Sequence, residues 1–412
     1  MTFSHSDASE PLAVARMGVS DVTSAFPGSA SGANASDNHH YPVQFSGTGS
    51  EYFRIWIVNL LLIVLTCGIY LPWAKVRKLK YFYGNTRIDS APLDFHGEPL
   101  KMLRGTLIAG VFFIVYSYAA EFSALAAVVS ALAFLLVWPP LYRASLRFRM
   151  ANTSWRGFRL NFQDKSILEC YSAILLPNAL VIVGLVAYTL SSPKAGSATF
   201  TGPLVSIFLW AVGSIFILAL PYFLWRIYRY QIGYSAWGPM RMEFRAPAAS
   251  VYKVYLQTLA SILAILAVFA AAAAVLVPSV FQFTQSGLKA LLTVLPLVIL
   301  FFVTINILPR AYLSAKLHNL VWSRTGNSHA RFKSVLSPWK YVLLQLKNYL
   351  LILLTLGFYW PFAVIATKRM QLEAVTLKSR IDLNTMTDMA RKRSTDAAGD
   401  MAADLFDFDL GM

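Results

Sequence analysis

The chain has 412 residues, of which 57% are hydrophobic and 14% charged, whereas soluble proteins average about 45–50% and about 25%. This surplus of apolar surface excludes an ordinary soluble multidomain protein, and two cysteines are too few for a disulfide scaffold or a Cys-rich metal cluster. A net charge of +16 would suggest nucleic-acid binding in a soluble protein, but in a membrane protein the basic residues first report which loops face the cytoplasm.

Residues 1–42 are predicted to be a disordered tail. The stretch from Gly28 to Tyr41 is rich in Ser, Gly, Ala and Asn, and such a segment buries too little apolar area to offset the entropy cost of ordering it. The tail lacks the basic start and apolar core of a cleavable secretion signal. The adjacent His39 and His40 are interpreted as solvated, because a structural metal site needs more ligands.

Eight apolar stretches follow, and each approaches the roughly 20 residues of helix that cross a hydrocarbon core of about 30 Å. They are Phe53–Leu71, Leu103–Ala119, Phe122–Trp138, Ile167–Leu190, Leu204–Trp225, Tyr255–Val277, Leu291–Leu308 and Tyr341–Ile365. The predicted fold is therefore an all-α polytopic membrane bundle of about eight apolar segments.

The basic residues are concentrated in alternate loops. The four long loops, at 73–104, 141–168, 223–254 and 309–341, carry 24 lysines and arginines, whereas the three alternate loops carry 2. Positively charged loops remain in the cytoplasm. Residues 73–101, 141–168, 226–253 and 310–340 are therefore predicted to be cytoplasmic, and no nucleic acid is needed to explain the charge.

The two terminal apolar segments do not fit this alternation. Strict alternation would place both chain ends outside, yet seven basic residues between Lys368 and Arg393 follow the last segment and favour a cytoplasmic C-terminus. The first and last segments therefore either dip into the membrane and return or lie tilted and broken, and both alternatives stay open. The membrane domain is predicted over residues 43–383, followed by a disordered acidic tail over residues 384–412.

The terminal segments also repeat each other. Residues 59–74 match residues 348–363 at a constant offset of 289, and ten of the 16 positions are identical. Polar and backbone-special residues are retained, which apolar composition alone does not explain. The candidate substrate-binding residues are accordingly Asn59, Thr66, Gly68, Tyr70, Asn348, Thr355, Gly357 and Tyr359.

A proline kink is predicted in each copy. Pro72 cannot donate a hydrogen bond to the carbonyl of Gly68, so the helix is expected to bend there, and Pro361 should bend the second copy. Broken helices with free backbone groups form binding sites in transporters. The alternative interpretation is that Asn and Thr join helices and that the Gly-x-x-x-Pro spacing only shapes the kink.

The cytoplasmic loops share a pattern of a helix-ending proline, basic residues and then a turn with alternating polarity. Asn85-Thr86 leads to Asp94-Phe95, and Trp155-Arg156-Gly157 leads to Phe158 through Phe162. Alternation across a glycine turn favours short β-hairpins. The sequence thus predicts internal repeats that end in short cytoplasmic β-hairpins.

Basic residues interleaved with aromatic residues follow several helix ends, and such clusters attract anionic lipid headgroups. The candidate anionic-lipid contacts are Lys75, Arg77, Lys78, Lys80, Arg147, Arg149, Arg226 and Arg229. The alternative interpretation is that these residues only fix the topology and anchor the helix ends.

The run from Thr66 to Thr86, with Phe45-x-Gly47 before it and Phe95-x-Gly97 after it, resembles the signature of the YjgN-like bacterial inner-membrane proteins. The resemblance covers roughly residues 43–383. Cys67 stands where the family pattern has leucine, and Leu356 keeps that leucine in the second copy. The resemblance implies a multi-pass inner-membrane protein, and it implies no activity, catalytic residue or cofactor.

Motifs for catalysis are absent from the sequence, since there is no Gly-rich phosphate loop, Gly-x-Ser-x-Gly or His-Glu-x-x-His. We therefore expect no enzyme activity, catalytic residue, metal site or cofactor. The leading hypothesis is a transporter or lipid-handling protein with a site between the terminal segments, and membrane lipids, above all anionic phospholipids, are the expected partners. The alternative is a non-catalytic scaffold or regulator that recruits a membrane protein partner through its cytoplasmic hairpins.

Overall fold

The computed structural model describes residues 39–164, 166–174, 203–237, 240–283, 287–385 and 387–388. The helices are α1 (Gly49–Leu65), α2 (Leu71–Gly84), α3 (Pro99–Phe122), α4 (Ala124–Ala151), α5 (described over residues 167–174), α6 (Pro203–Gly233), α7 (Ala248–Phe283), α8 (Gly287–Ser323), α9 (Pro338–Leu354) and α10 (Trp360–Glu373). The strands are β1 (His39–Phe45), β2 (Thr86–Ile88), β3 (Ala91–Phe95), β4 (Thr153–Trp155), β5 (Phe158–Phe162), β6 (Ser235–Trp237), β7 (Met240–Arg241), β8 (Glu243–Phe244), β9 (Thr325–Gly326), β10 (Ala330–Ser334) and β11 (Val375–Ser379).

Five helices within the described residues are long and apolar enough to cross a membrane. The candidate spans are Pro99–Ala119, Val128–Ala151, Trp210–Gly233, Ala248–Val275 and Val294–Ser323. They overlap five of the eight predicted apolar stretches, with bounds shifted by up to 15 residues. Most of a further predicted stretch, Ile167–Leu190, lies outside the described residues, and the first and last stretches each form two shorter helices.

The strands join into one sheet, whereas the sequence predicted separate hairpins on an all-α bundle. All neighbouring strands are antiparallel, in the order β7-β6-β5-β4-β3-β2-β1-β11-β10-β9-β8. The two strands at the ends of this order, β7 and β8, are separated in the chain by Met242 alone. The sheet therefore closes on itself as a ring, and closure leaves no long free edge for unwanted strand pairing.

Five strand–helix–helix–strand units build this ring. The units are β1-α1-α2-β2, β3-α3-α4-β4, β5-α5-α6-β6, β8-α7-α8-β9 and β10-α9-α10-β11, and residues 175–202 of the third unit lie outside the described residues. An equivalent backbone hydrogen bond of 2.7–3.0 Å closes each unit beside the sheet. The amide donors are Ser46, His96, Gln163, Arg245 and Val335, and the carbonyl acceptors are Asn85, Asn152, Tyr234, Arg324 and Ala374, respectively.

The first and last apolar segments therefore dip away from the sheet and return to it. In the first segment, the Arg77 guanidinium donates to the Asn59 Oδ1 atom (3.4 Å) across an antiparallel α1–α2 pair, and α9 with α10 forms the equivalent pair. The tips of both pairs expose large apolar side chains, with Leu65 78% and Leu356 90% exposed. Exposed apolar side chains of this kind mark a surface that contacts lipid or another protein. The chain after the last segment returns to the ring through β11.

The inside of the ring is a packed apolar core. Trp155, Trp237, Ala330 and Leu377 form its buried centre, and side chains from most of the other strands pack around them. Leu383, in the segment after β11, is fully buried in the same cluster. The filled interior explains how such short strands form a stable ring, because burial of apolar area stabilises by about 25 cal/mol per Å².

The breaks inside the terminal segments arise from left-handed backbone and not from the prolines, so the predicted proline kink is wrong. Cys67 and Gly68 have φ values of 47° and 91°, and Leu356 and Gly357 have 48° and 96°. The Gly68 amide donates to the Ile63 carbonyl (2.8 Å), which ends α1, in the way that left-handed residues cap helices. Pro72 lies in the first turn of α2, where a missing N–H costs little.

Replacing Gly357 by Ala should lower the unfolding temperature of the detergent-solubilised protein. Among the described residues, none beyond the two chain neighbours has an atom within 4 Å of the added Cβ, so the expected loss of about 1–2 kcal/mol comes from the left-handed backbone alone. The matched control is Gly105→Ala within α3, where the added Cβ is equally free and helix propensity predicts an unchanged or higher unfolding temperature. Equal effects of the two changes would contradict this explanation of the break.

Cysteine labelling should find the ring on the cytoplasmic side, because the four loops with 24 basic residues all supply strands to it. With Cys67 and Cys170 replaced, an impermeant maleimide should fail to label Asp94→Cys and Lys333→Cys in intact cells, although both positions are exposed. Permeabilised cells should label both. Glu121→Cys, at the exposed α3–α4 tip, is the control that intact cells should label, and the reverse pattern would invert the topology.

Candidate functional site

A cavity of about 500 Å³ lies where α1, α2 and α3 meet the first residue of α10, and it is called the terminal groove below. Its lining residues are Tyr52, Trp56, Asn59, Leu60, Ile63, Leu71, Pro72, Ala74, Lys75, Lys78, Met102, Thr106 and Trp360. Both terminal segments contribute to it, because α1 packs against α10.

Helical spacing places the lining side chains on facing stripes. Trp56, Asn59 and Ile63 recur every three or four residues along α1, and Lys75 and Lys78 do so along α2. The aromatic contacts continue across the two segments, since the Trp56 and Trp360 rings lie 6.0 Å apart. The result is a groove with apolar and aromatic walls and a small number of polar groups, which is the usual composition of a ligand site.

The charge in the terminal groove is positive. The Lys78 Nζ atom lies 5.6 Å from the centre of the Trp360 ring, and no carboxylate of the described residues pairs with Lys75 or Lys78. Nearby, burial lowers the pKa of Lys368, and the charges of Lys78 and Arg149 lower it further. The charge of Lys78, which lines the groove, is therefore repelled by Lys368 of α10, and an anion bound at Lys78 would relieve that repulsion.

The two predicted asparagines occupy different environments. Asn59 lines the terminal groove and accepts a hydrogen bond from Arg77. Asn348 is 2% exposed, and its amide donates to the Thr367 Oγ1 atom (3.2 Å) and to the Ala363 carbonyl (3.4 Å) between α9 and α10. The structure therefore does not bring these asparagines together, and Asn348 joins two helices.

The other six candidate substrate-binding residues lie in the two turns and do not line the groove. In the first turn, the Thr66 hydroxyl donates to the Leu62 carbonyl (2.7 Å) and accepts from the Tyr70 amide (3.0 Å). In the second turn, the hydroxyl of Thr355 makes the same pair of bonds, at 2.7 and 2.9 Å, with the carbonyl of Leu351 and the amide of Tyr359. Gly68 and Gly357 supply the left-handed residues, while Tyr70 and Tyr359 stack on Trp73 and Phe362.

The eight predicted basic contacts separate into groups with different surroundings. Lys75 and Lys78 line the terminal groove, Arg77 bonds to Asn59, and Lys80 and Arg149 are exposed. Arg226 and Arg229 line a second cavity, which lies at the base of α6. The remaining residue, Arg147, forms an ion pair with Asp164.

Asp164 forms a buried ionic cluster that sequence reasoning missed. Its fully buried carboxylate accepts hydrogen bonds from Arg143, from Arg147 (2.7 Å) and from the Tyr230 hydroxyl (3.0 Å). Burial would raise the pKa of this carboxyl, but the hydrogen bonds from the two arginines and the tyrosine hold it below its usual range. The cluster therefore joins α4, α6 and the end of β5, and Arg147 has a structural role.

Trp56 and Trp360 were also missed as site residues. The sequence could have indicated Trp56, because it lies three residues before Asn59 and therefore on the same helix face. It could also have indicated Trp360, because this residue stands where the first copy has Leu71. The position of Trp360 beside α1 could not be predicted from the sequence, because it depends on contacts between residues about 300 positions apart along the chain.

Comparison with known proteins identifies relatives but no activity. The model of a family described as "Bacterial protein of unknown function (DUF898)" matches residues 40–405. The chain is 28% identical over 155 residues to Inner membrane protein YjgN of Salmonella typhimurium (36% of this chain, 38% of the relative). It is 27% identical over 188 residues to the protein of that name from Escherichia coli K12 (44% and 46%). No solved structure matches significantly.

These matches cover less than half the length of the curated relatives. The relatives are named inner-membrane proteins, and the part of this chain that the structure describes contains five helices long and apolar enough to cross a membrane. It is a multi-pass protein of the bacterial inner membrane and is YjgN-like, as the sequence signature predicted.

Proposed function

We propose that this chain, which belongs to the DUF898 family of bacterial proteins of unknown function, binds an anionic phospholipid in the terminal groove and acts as a lipid-handling protein of the inner membrane. The observation that supports this proposal is one cavity between the terminal segments that combines apolar and aromatic walls with two lysines, neither of which has an ion-pair partner among the described residues. An anionic amphiphile satisfies both parts of that surface.

The headgroup phosphate lies at Lys75 and Lys78. Each basic group near a membrane surface contributes about 1 kcal/mol to the attraction of anionic lipid. The Lys78 amine is held over the Trp360 ring, so its position is restricted before a ligand arrives. The Asn59 side chain, on the opposite stripe, supplies a further polar contact for the headgroup.

The acyl chains lie along the apolar part of the same groove. Leu60, Ile63, Leu71 and Met102 supply its wall. Ile63 and Leu71 lie next to the break between α1 and α2, where Leu65 is exposed. A chain leaving the headgroup can therefore pass into the bilayer without crossing a polar barrier, and each buried CH₂ contributes about 0.8 kcal/mol.

Only the first terminal segment carries this set of residues. At the offset of 289, Val364 and Thr367 stand in place of Lys75 and Lys78. Thr367 bonds to Asn348 within its own helix pair, so the second segment uses that position for packing. The proposed function accordingly has one site, built by the first segment and completed by Trp360 of the second.

The scaffold hypothesis has less support. Hairpins that recruit a partner by strand addition need free edges, but the hairpins of this chain pair with one another around the ring. The apolar sides of their strands are occupied by the ring core.

Native mass spectrometry tests the proposal. Full-length protein in neutral detergent is titrated with phosphatidylglycerol, and the double variant Lys75→Gln/Lys78→Gln should bind about 30-fold more weakly, since two charges at about 1 kcal/mol each are lost. The matched control is Arg331→Gln/Lys333→Gln, which removes the same charge from exposed positions of β10 and should change the affinity less than threefold. Equal binding by the two double variants would contradict a headgroup site in the terminal groove.

A further inference from the structure

A second cavity, of about 660 Å³, lies where the ring of strands closes, and it is called the seam cavity. It is bounded by α5, the base of α6 and the residues from Arg241 to Arg245 that carry the chain from β7 to β8. Four arginines line it, namely Arg226, Arg229, Arg241 and Arg245. It shares no residue with the terminal groove.

Three of these arginines are held against aromatic rings. The guanidinium carbons of Arg226, Arg229 and Arg241 lie 6.0, 5.2 and 5.3 Å from the ring centres of Tyr222, Trp225 and Tyr234, respectively. A nearby ring restricts the orientation of the planar guanidinium, and Arg226 is held further by donation to the Tyr222 hydroxyl (3.3 Å). Three such groups around one cavity lose little further freedom when they bind a ligand.

The same three arginines have no carboxylate partner among the described residues. Arg245 pairs with Glu243 at 2.8 Å and is thereby neutralised. The Arg226 guanidinium donates instead to the Ser172 hydroxyl (2.9 Å), and Arg241 donates to the Gly233 carbonyl (3.4 Å). Glu169 is the remaining acid in the lining, so the cavity carries more positive than negative charge.

Arg229 does not make the contact between units that the equivalent residues of three other units make. In each unit, Arg229 corresponds to the residue six positions before the first residue of the unit's second strand. In three other units this residue contacts the segment that follows the first strand of the next unit. Arg147 binds Asp164, Asn319 donates to the Leu336 carbonyl (2.7 Å), and Arg369 donates to the Gly47 carbonyl (2.9 Å).

In the third unit another residue makes the equivalent joint. The indole Nε1 of Trp225 donates to the Ala246 carbonyl (2.7 Å), and Arg229 stacks on that indole and lines the seam cavity. The joint between these units is therefore made without Arg229, which lines the seam cavity.

We infer that the seam cavity is a binding site for a phosphate group, carried by a phosphomonoester or phosphodiester and held by Arg226, Arg229 and Arg241. Guanidinium groups match phosphate oxygens with paired hydrogen bonds, and several of them together select phosphate over a single carboxylate. The phosphate has two sources, a membrane lipid headgroup and a soluble phosphate compound. The site is independent of the proposed lipid function of the terminal groove.

Calorimetric titration of full-length protein in neutral detergent tests this site with two probes, glycerol 3-phosphate and phosphatidic acid in mixed micelles. Arg229→Gln/Arg241→Gln should weaken binding of the recognised probe at least tenfold. Arg245→Gln is the matched control, because it removes an arginine from the same lining that Glu243 already neutralises, and it should weaken binding less than threefold. Arg229→Lys keeps the charge but loses the paired donors, so its loss of binding affinity should lie between those of the other two variants.

The outcomes separate the sources and can overturn the site. Arginine-dependent binding of glycerol 3-phosphate assigns a soluble ligand, whereas arginine-dependent binding of phosphatidic acid alone assigns a lipid headgroup. Binding of neither probe, or an equal loss in Arg245→Gln, overturns the inference. Lys75→Gln/Lys78→Gln should leave the titration unchanged, and the unfolding temperature of each variant shows whether it is folded.

Discussion

The backbone hydrogen bonds of the strand ring hold the ends of all five units together. Each unit leaves the ring as a helix and returns to it as a helix, and the fifth unit is joined to the first by β1 and β11, which pair His39 with Ser379. The long helices pack on one another in pairs, above all α3 with α4 and α7 with α8, and still expose large apolar side chains, including Leu107, Ile114 and Leu218. The ring joins these helix pairs at one end, and its apolar core adds to the stabilisation.

The terminal groove is a consequence of that closure. Pairing of β1 with β11 brings α10 beside α1, where the Arg369 guanidinium donates to the Gly47 carbonyl at 2.9 Å and Trp360 reaches Trp56. Without the closed ring, Lys78 would have no indole beneath it and the groove would be open on one side. The seam cavity lies at the opposite joint of the sheet, where the single residue Met242 separates β7 from β8. Both candidate sites are thus located where the ring is completed.

Sequence patterns were sufficient for the features that depend on local chemistry. Charge counts grouped the four hairpin loops, which all supply strands to one ring. The offset of 289 predicted equivalent breaks, which occur at Gly68 and Gly357. The cause of the break was predicted incorrectly, because left-handed backbone at Cys67 and a side-chain cap from Thr66 leave no periodic signal. The ring itself was not predicted, since pairing of strands more than 300 residues apart depends on register and not on local pattern. Of the groove, Asn59, Lys75 and Lys78 were predicted, whereas the long-range neighbour Trp360 was not.

Closure of the ring by its two terminal strands is tested most directly by a disulfide. His40 and Lys378 are paired across β1 and β11, so in a protein without Cys67 and Cys170 the pair His40→Cys/Lys378→Cys should cross-link on mild oxidation. Gln44→Cys/Arg87→Cys, paired within the first unit, is the reference. Cross-linking of both pairs to a similar extent is the predicted result, visible as a shift in gel mobility. Efficient cross-linking of the reference pair with none between residues 40 and 378 would contradict the closed ring.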